Sequence, residues 1–469
     1  MQNLPTEIFK AYDIRGIVGK TLTPAIVESI GHALGSEAKA RLQTDICIGF
    51  DGRLSGPELA AALSRGIRKS GVNVINLGMV ATPMVYFAAH HLKTNCGVMV
   101  TGSHNPPDYN GLKMVLASET LSNDSIQSLR HRIEQNNFTY GEGLERNYAI
   151  ADDYINTITA DIKLERPLKI TVDCGNGVAG VFAKNLYNSI GCHVDELFCE
   201  VDGHFPNHHP DPSVPENLTD LITQLQTSDA EIGLAFDGDG DRLGVVTKNG
   251  QIIYPDRQLL LFAQDVLTRN TGATIIYDVK STRNLNPWIQ QHGGKPMMWK
   301  TGHSLVKAKI KETNAALAGE MSGHVFFNDN DAHGKKRWYG FDDGLYAGAR
   351  LLEILSRFEN PTEILNNLPD SVSTPEQHIH MREGEPHTLI AQLQAMPNLL
   401  SAFAGTTEII TIDGLRVEYA DGFGLMRPSN TTPVIVLRFE ADTNTALTRI
   451  QSQFKEVIWN VAPNLALPF

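Results

Sequence analysis

Three apolar runs each end on an aspartate at a turn: Ile46-Cys47-Ile48-Gly49-Phe50-Asp51, Ile170-Thr171-Val172-Asp173 and Ile275-Ile276-Tyr277-Asp278. Segments with helical apolar spacing follow them, the pattern of parallel α/β units. Recurrence at roughly domain length, from Asp51 to Asp173 to Asp278, predicts three related α/β domains. After about residue 368 the texture changes. Residues 408–411, 416–419 and 434–439 read as strands joined by Asp-Gly and Pro-Ser-Asn turns, and 443–462 as a helix with an apolar stripe. This tail is expected to be a separate α+β domain. The expected domains are 1–149, 150–250, 251–367 and 368–469, with linkers near 145–152, 248–256 and 360–370.

Composition changes this picture little. At 469 residues, three or four domains follow from a prior of about 150 residues each. A hydrophobic fraction of 42% allows large cores. A net charge of -13 disfavours a broad grip on nucleic acid or an anionic membrane and points to a small partner. Five cysteines with no Cys-x-x-Cys pair disfavour a disulfide framework or zinc knuckle and suit a reducing cytoplasm. The N-terminus has an early acid and no apolar core of a signal, and no apolar run approaches bilayer length. No export and no membrane anchor are expected.

Candidate chemistry sits at strand ends. Thr101-Gly102-Ser103-His104-Asn105-Pro106-Pro107 follows the strand-like Gly97-Val98-Met99-Val100, where ligands gather in α/β sheets, and would present the Ser103 hydroxyl as a nucleophile. Read alone, the segment reads first as a structural loop in which Ser103 and Asn105 only bond backbone. Asp237-Gly238-Asp239-Gly240-Asp241-Arg242 lies between the strand-like stretches 232–236 and 243–246. Alternate residues of an extended chain point the same way, and the glycines allow three carboxylates to meet one cation. An EF-hand reading fails, because its sixth position is Arg242 and its twelfth Lys248. Mg²⁺ with open positions for water and a phosphate oxygen fits better.

Arg427-Pro428-Ser429-Asn430-Thr431-Thr432-Pro433, read as a polar loop between two tail strands, is a candidate phosphate clamp. Gly319-Glu320-Met321-Ser322-Gly323-His324 offers a carboxylate, a hydroxyl and an imidazole for sugar hydroxyls. Two further motifs compete. Gly175, Gly177 and Gly180 match G-x-G-x-x-G with Asp195 downstream, making an NAD-dependent oxidoreductase the main rival. His204, His208 and His209 could bind zinc, although the intervening prolines suggest a rigid structural loop.

Taken in order, Tyr12-Asp13-Ile14-Arg15-Gly16 and the serine, aspartate, Gly-Glu-Met-Ser-Gly-His and Arg-Pro-Ser-Asn-Thr-Thr motifs closely resemble the α-D-phosphohexomutases, specifically the bacterial phosphomannomutase/phosphoglucomutase branch. The resemblance spans residues 9–433. It implies three similar mixed-sheet α/β domains plus a smaller C-terminal α+β domain around a central cleft. By resemblance, Ser103 would carry a phosphoryl group, and one Mg²⁺ would bind Asp237, Asp239, Asp241 and the phosphoserine. His104 and Lys113 would surround the transferring group, with Arg15, Arg242 and Lys280 adding positive charge. Tyr12 would join the substrate site, and Glu320 and Ser322 would hold the sugar 3- and 4-hydroxyls. Arg427, Ser429, Asn430 and Thr431 would clamp the other phosphate. Pro428 departs from the family's commoner small residue.

The resemblance implies reversible interconversion of hexose 1- and 6-phosphates. Glucose 1,6-bisphosphate would be activator and reorienting intermediate, and Lys113, His303 and His324 are unranked candidates for the proton-transfer group. Because glucose and mannose share the 3- and 4-hydroxyl configuration, both sugars are expected as substrates. The expected partners are small phosphosugars only, and the expected state is a monomer or weak dimer. A phosphosugar-binding protein without turnover is the non-enzyme alternative.

Overall fold

The computed structural model describes residues 4–430 and 432–469. Its first three sheets repeat one connectivity. The strands ending at the three recurring turns, Asp45–Phe50, Lys169–Asp173 and Thr274–Asp278, are each flanked by two parallel neighbours. The second neighbour in chain order is Gly97–Val100, Ile232–Phe236 or Leu317–Gly319, and it pairs with an antiparallel strand, Tyr109–Leu116, Leu243–Thr247 or Val325–Phe327. The sheets are therefore mixed. The connection between these last two strands carries the serine loop in the first repeat, the aspartate loop in the second and the Glu320 loop in the third. Three different chemistries thus occupy one topological position, at the mouth of a parallel-to-antiparallel turn.

The recurring aspartates have local work. Asp51 accepts the backbone N–H of Arg53, and Asp173 that of Gly175, two residues on in each case. Asp278 accepts from the Ser281 hydroxyl. Each closes the turn after its strand, which is why the pattern recurs.

The tail is an antiparallel sheet of six strands, covered by the helices Glu385–Gln394 and Asn444–Val461. Thr443 caps the long helix by accepting from the Ala446 N–H. One strand escaped the sequence reading: Gly422–Pro428 pairs with both Leu415–Tyr419 and Val434–Ala441. Arg427 and Pro428, expected in the loop, therefore belong to a strand end, which tolerates proline. The anticipated linkers also carry structure, including the short edge strand Glu145–Asn147 and the helix Pro361–Asn366. The tail joins the third sheet through buried polar contacts. Arg416 donates to the carbonyls of Val279 and Ser281, Arg438 pairs with Asp256 at 3.0 Å, and Thr282 donates to Glu440. Among the described residues, no helix is long and apolar enough to cross a membrane.

Candidate active site

Ser103 is 1% exposed and has φ +50°, a strained conformation for a residue with a Cβ. Its N–H donates to Thr101 Oγ1 at 2.7 Å. Its hydroxyl donates to Asp237 Oδ2 at 3.3 Å and lies 3.2 Å from His104 Nδ1. Burial, ahead of the Arg242 charge, holds His104 well below the ordinary histidine range, so a neutral imidazole faces the hydroxyl.

The serine loop is wrapped around a residue that sequence reasoning missed. Arg53 has a fully buried side chain whose guanidinium donates to the carbonyls of Ser103, Asn105, Pro106 and Tyr109. Asp51 lies 3.3 Å from Arg53 Nε and also accepts from Thr101. Gly102 is required here, since a Cβ would lie 2.4 Å from the Arg53 guanidinium carbon. The available signal was the spacing Asp51-Gly52-Arg53 directly after the first recurring strand.

The aspartate loop packs against the serine loop so closely that a Cβ on Gly238 would lie 2.5 Å from the Ser103 carbonyl oxygen. Asp237, Asp239 and Asp241 are fully buried and bring carboxylate oxygens within 4.8 Å of one another. Lys113 reaches Asp239 at 2.8 Å and Asp241 at 2.5 Å, and Thr82 donates to Asp239. Among the described residues, buried Asp239 Oδ1 has no hydrogen-bond partner, and buried Asp241 Oδ1 has only His324 Nε2 at 3.3 Å. Burial, reinforced by Asp241 and Asp239, pushes Asp237 far above the carboxylate range. For Asp241, burial acts upward but Lys113 and His324 outweigh it, holding the group low. Hard oxygens with unpaired lone pairs in a buried acidic cluster fit a hard divalent cation.

The Glu320 loop is stitched to the aspartate loop: Leu243 donates its N–H to the Gly323 carbonyl, and Arg242 and His324 form a β-bridge. Glu320 is buried, with Oε1 accepting from the Gly302 N–H at 2.6 Å and Oε2 3.5 Å from His324 Nδ1 but without a hydrogen-bond partner among the described residues. Burial raises its pKa. Ser322 Oγ lies 2.9 Å from His324 Nδ1, and His324 Nε2 lies 3.3 Å from Asp241. His303 stacks 5.6 Å from His324, and burial, ahead of Lys307, keeps it well below the ordinary histidine range. Both histidines approach the buried carboxylate of Asp342, which Lys307 neutralises at 2.7 Å; neither residue was anticipated.

The clamp comes from the C-terminal sheet. Arg427 Nε pairs with Asp413 at 3.0 Å, and its buried NH2 has no hydrogen-bond partner among the described residues. Ser429 closes the strand turn by donating its N–H to the Val434 carbonyl. Burial raises Tyr12 to about 12 against the opposing charge of Arg427, so the first and last domains face each other across the cleft. Thr431 lies outside the described residues. Arg15 pairs with Asp13 at 2.5 Å, and Lys280 with Glu376 at 2.6 Å.

The competing motifs resolve structurally. A Cβ on Gly177 would lie 2.9 Å from the Gly238 carbonyl oxygen, and one on Gly180 2.0 Å from that of Cys199. These glycines serve packing beneath the aspartate loop. His208 hydrogen-bonds Asp173 and His204 pairs with Asp202, contacts that fit the structural roles expected of these two.

Four family models match the chain in order. They describe phosphoglucomutase/phosphomannomutase α/β/α domain I over residues 6–140, domain II over 152–250, domain III over 254–372 and the C-terminal domain over 379–457. A phosphoglucomutase of Neisseria meningitidis is 60% identical over 471 residues, covering 100% of both chains. A phosphomannomutase/phosphoglucomutase of Pseudomonas aeruginosa is 54% identical over 467 residues, covering 99% of this chain and 98% of its own. The crystal structure of a phosphoglucomutase/phosphomannomutase family protein from Burkholderia thailandensis superposes with a TM-score of 0.93 at 56% identity, covering 99% and 100% of the two chains. With the motif loops converging in one cleft and every domain matched in order, the chain belongs to the phosphoglucomutase/phosphomannomutase family of enzymes, which interconvert sugar phosphates.

Proposed function

We propose that the chain interconverts the 1- and 6-phosphates of glucose and mannose through a phosphoryl group carried on Ser103 and a 1,6-bisphosphate intermediate. The observation that carries this reading is the Ser103 hydroxyl, held by Asp237 and His104 on a strained loop against three buried aspartates. Asp237, Asp239 and Asp241 would hold one Mg²⁺, which supplies charge for the equatorial phosphoryl oxygens. Lys113, already between two of these acids, adds a fixed positive charge beside the transfer path. Arg15, Arg242 and Lys280 extend it.

Neutral His104 and His303 are suited to exchanging protons, with His324 and Lys113 the other candidates. Glu320 Oε2 and Ser322 would take the 3- and 4-hydroxyls. Arg427 NH2, Ser429, Asn430 and Thr431, with Tyr12, would clamp the phosphate that is not transferring. Turning the bisphosphate end for end requires this clamp to loosen, and the polar interface of the tail with the third domain suits such movement. Unchanged turnover after cross-linking tail to first domain would exclude it. We propose domain limits after residues 149, 250 and 367 and a reducing, cytoplasmic setting, in keeping with five free thiols.

Intact-mass measurement after incubation with glucose 1,6-bisphosphate tests the carrier. One added phosphoryl group on Ser103, absent in Ser103→Ala together with turnover, is expected. Normal turnover by Ser103→Ala would refute it. Glucose 1-phosphate and mannose 1-phosphate should both turn over, and a preference beyond ~10⁴-fold would show a built-in reading of carbon 2.

A further inference from the structure

Cys174 and Cys199 are 25 residues apart in sequence, yet the Cys199 thiol donates to Cys174 Sγ at 3.4 Å. They sit just beyond the ends of the paired parallel strands Lys169–Asp173 and His193–Leu197, and the Cys174 N–H donates to the Leu197 carbonyl. Phe198, with φ +49°, turns the chain sharply before Cys199, a conformation that strains a bulky residue. The Phe198 carbonyl accepts from the Asn176 N–H at 2.8 Å, locking the two turns together. Cys174 is fully buried, whereas Cys199 is partly accessible.

The pair lies beneath both reactive loops. Gly175 and Asn176 also have positive φ, and the turn then meets the aspartate loop, where Val178 donates its N–H to the Gly238 carbonyl. On the other side, the strand turn after Cys199 runs to Val201 and Gly203, which pack on Gly52 and Arg53, the support of the Ser103 loop. These contacts leave little slack, as the close approaches at Gly177, Gly180 and Gly52 require.

We propose that Cys174 and Cys199 form a site of reversible oxidation by hydroperoxides, and that closing it to a disulfide suppresses turnover. Accessible Cys199 attacks the peroxide oxygen, giving a sulfenic acid and releasing water or an alcohol; Cys174 sulfur then displaces hydroxide from Cys199 Sγ. The two thiol hydrogens leave in the released products, and the peroxide is the species reduced. Joining the sulfurs pulls the two turns together, shifting the aspartate loop relative to Ser103. Displacements of about 1 Å at a transfer site cost roughly 100-fold.

The full chain, loaded with glucose 1,6-bisphosphate and Mg²⁺, is treated with hydrogen peroxide, its free thiols are blocked, and it is mapped by mass. The expected result is one linked peptide pair, Cys174 to Cys199, with the loss of two hydrogens. Turnover should fall at least about tenfold in the linked fraction and return with dithiothreitol. Cys199→Ser should keep the reduced enzyme's turnover and resist peroxide. Absence of the linked pair, linkage without inhibition, or equal inhibition of Cys199→Ser would overturn the proposal. Failure of the mutase reading would appear separately, as no turnover by the reduced enzyme, because linkage is read by mass.

Discussion

Arg53→Lys keeps a positive charge beside Asp51 but replaces a planar fork with a single ammonium. In the native protein the guanidinium serves four carbonyls, those of Ser103, Asn105, Pro106 and Tyr109, at 2.5 to 2.9 Å. An ammonium with three donors, placed at one point, cannot span them, and at least two carbonyls lose a charge-assisted bond. At ~1.5–3 kcal/mol each, the loss is about 3 kcal/mol or more of restraint on a loop whose Ser103 is itself strained. About 3 kcal/mol corresponds to roughly a 100-fold loss of rate if it appears wholly as misplacement of the hydroxyl. Steady-state kinetics should therefore show kcat down about 100-fold with KM for glucose 1-phosphate changed little, since Arg53 is directed at loop carbonyls. Phosphorylation of Ser103 by glucose 1,6-bisphosphate, followed by intact mass, should slow in parallel. Turnover within about threefold of native would refute the claim that this buried fork sets the serine.

Gly238→Ala places a methyl 2.5 Å from the Ser103 carbonyl oxygen, so one loop must move; turnover should fall about 100-fold while circular dichroism stays native. Burial pushes the Asp343 carboxyl up to about 7 from 3.8, so the folded chain keeps a proton that the unfolded chain loses between about pH 4 and 7. Its contribution is fully present below about pH 4 and is lost as pH rises to 7, on the order of 4 kcal/mol; Asp343→Asn should flatten that fall in urea resistance. Chelation with EDTA should abolish turnover and Mg²⁺ restore it, and Asp241→Asn should raise the Mg²⁺ requirement at least about tenfold.

Much of the fold was legible because its signals are local. The three Asp-ended strands could be found from apolar runs, and the C-terminal helix from its apolar stripe. The strand Gly422–Pro428 was hidden because Asp-Gly, two glycines and a proline read as turn, while its stability comes from two flanking strands. Within the site, the residues of the sequence motifs were legible as chemical types. Arg53, Thr82, Lys307, Asp342 and Asp413 were not, since an arginine or aspartate in isolation reads as solvated surface until folding buries it against a specific partner.

The sequence alone determined the repeated α/β units, the acidic loop able to hold a cation and the motif order shared with one family, all properties of short contiguous segments. Tertiary structure decided what those segments do together. It placed the three chemically different loops at equivalent turns facing one cleft, and it turned the glycine motif from a candidate nucleotide site into packing beneath the aspartates. It also brought Cys174 against Cys199, a contact that linear spacing could not register. The physical reason is the same in each case: proximity across a parallel sheet depends on strand order, and strand order follows from global packing, beyond any local pattern.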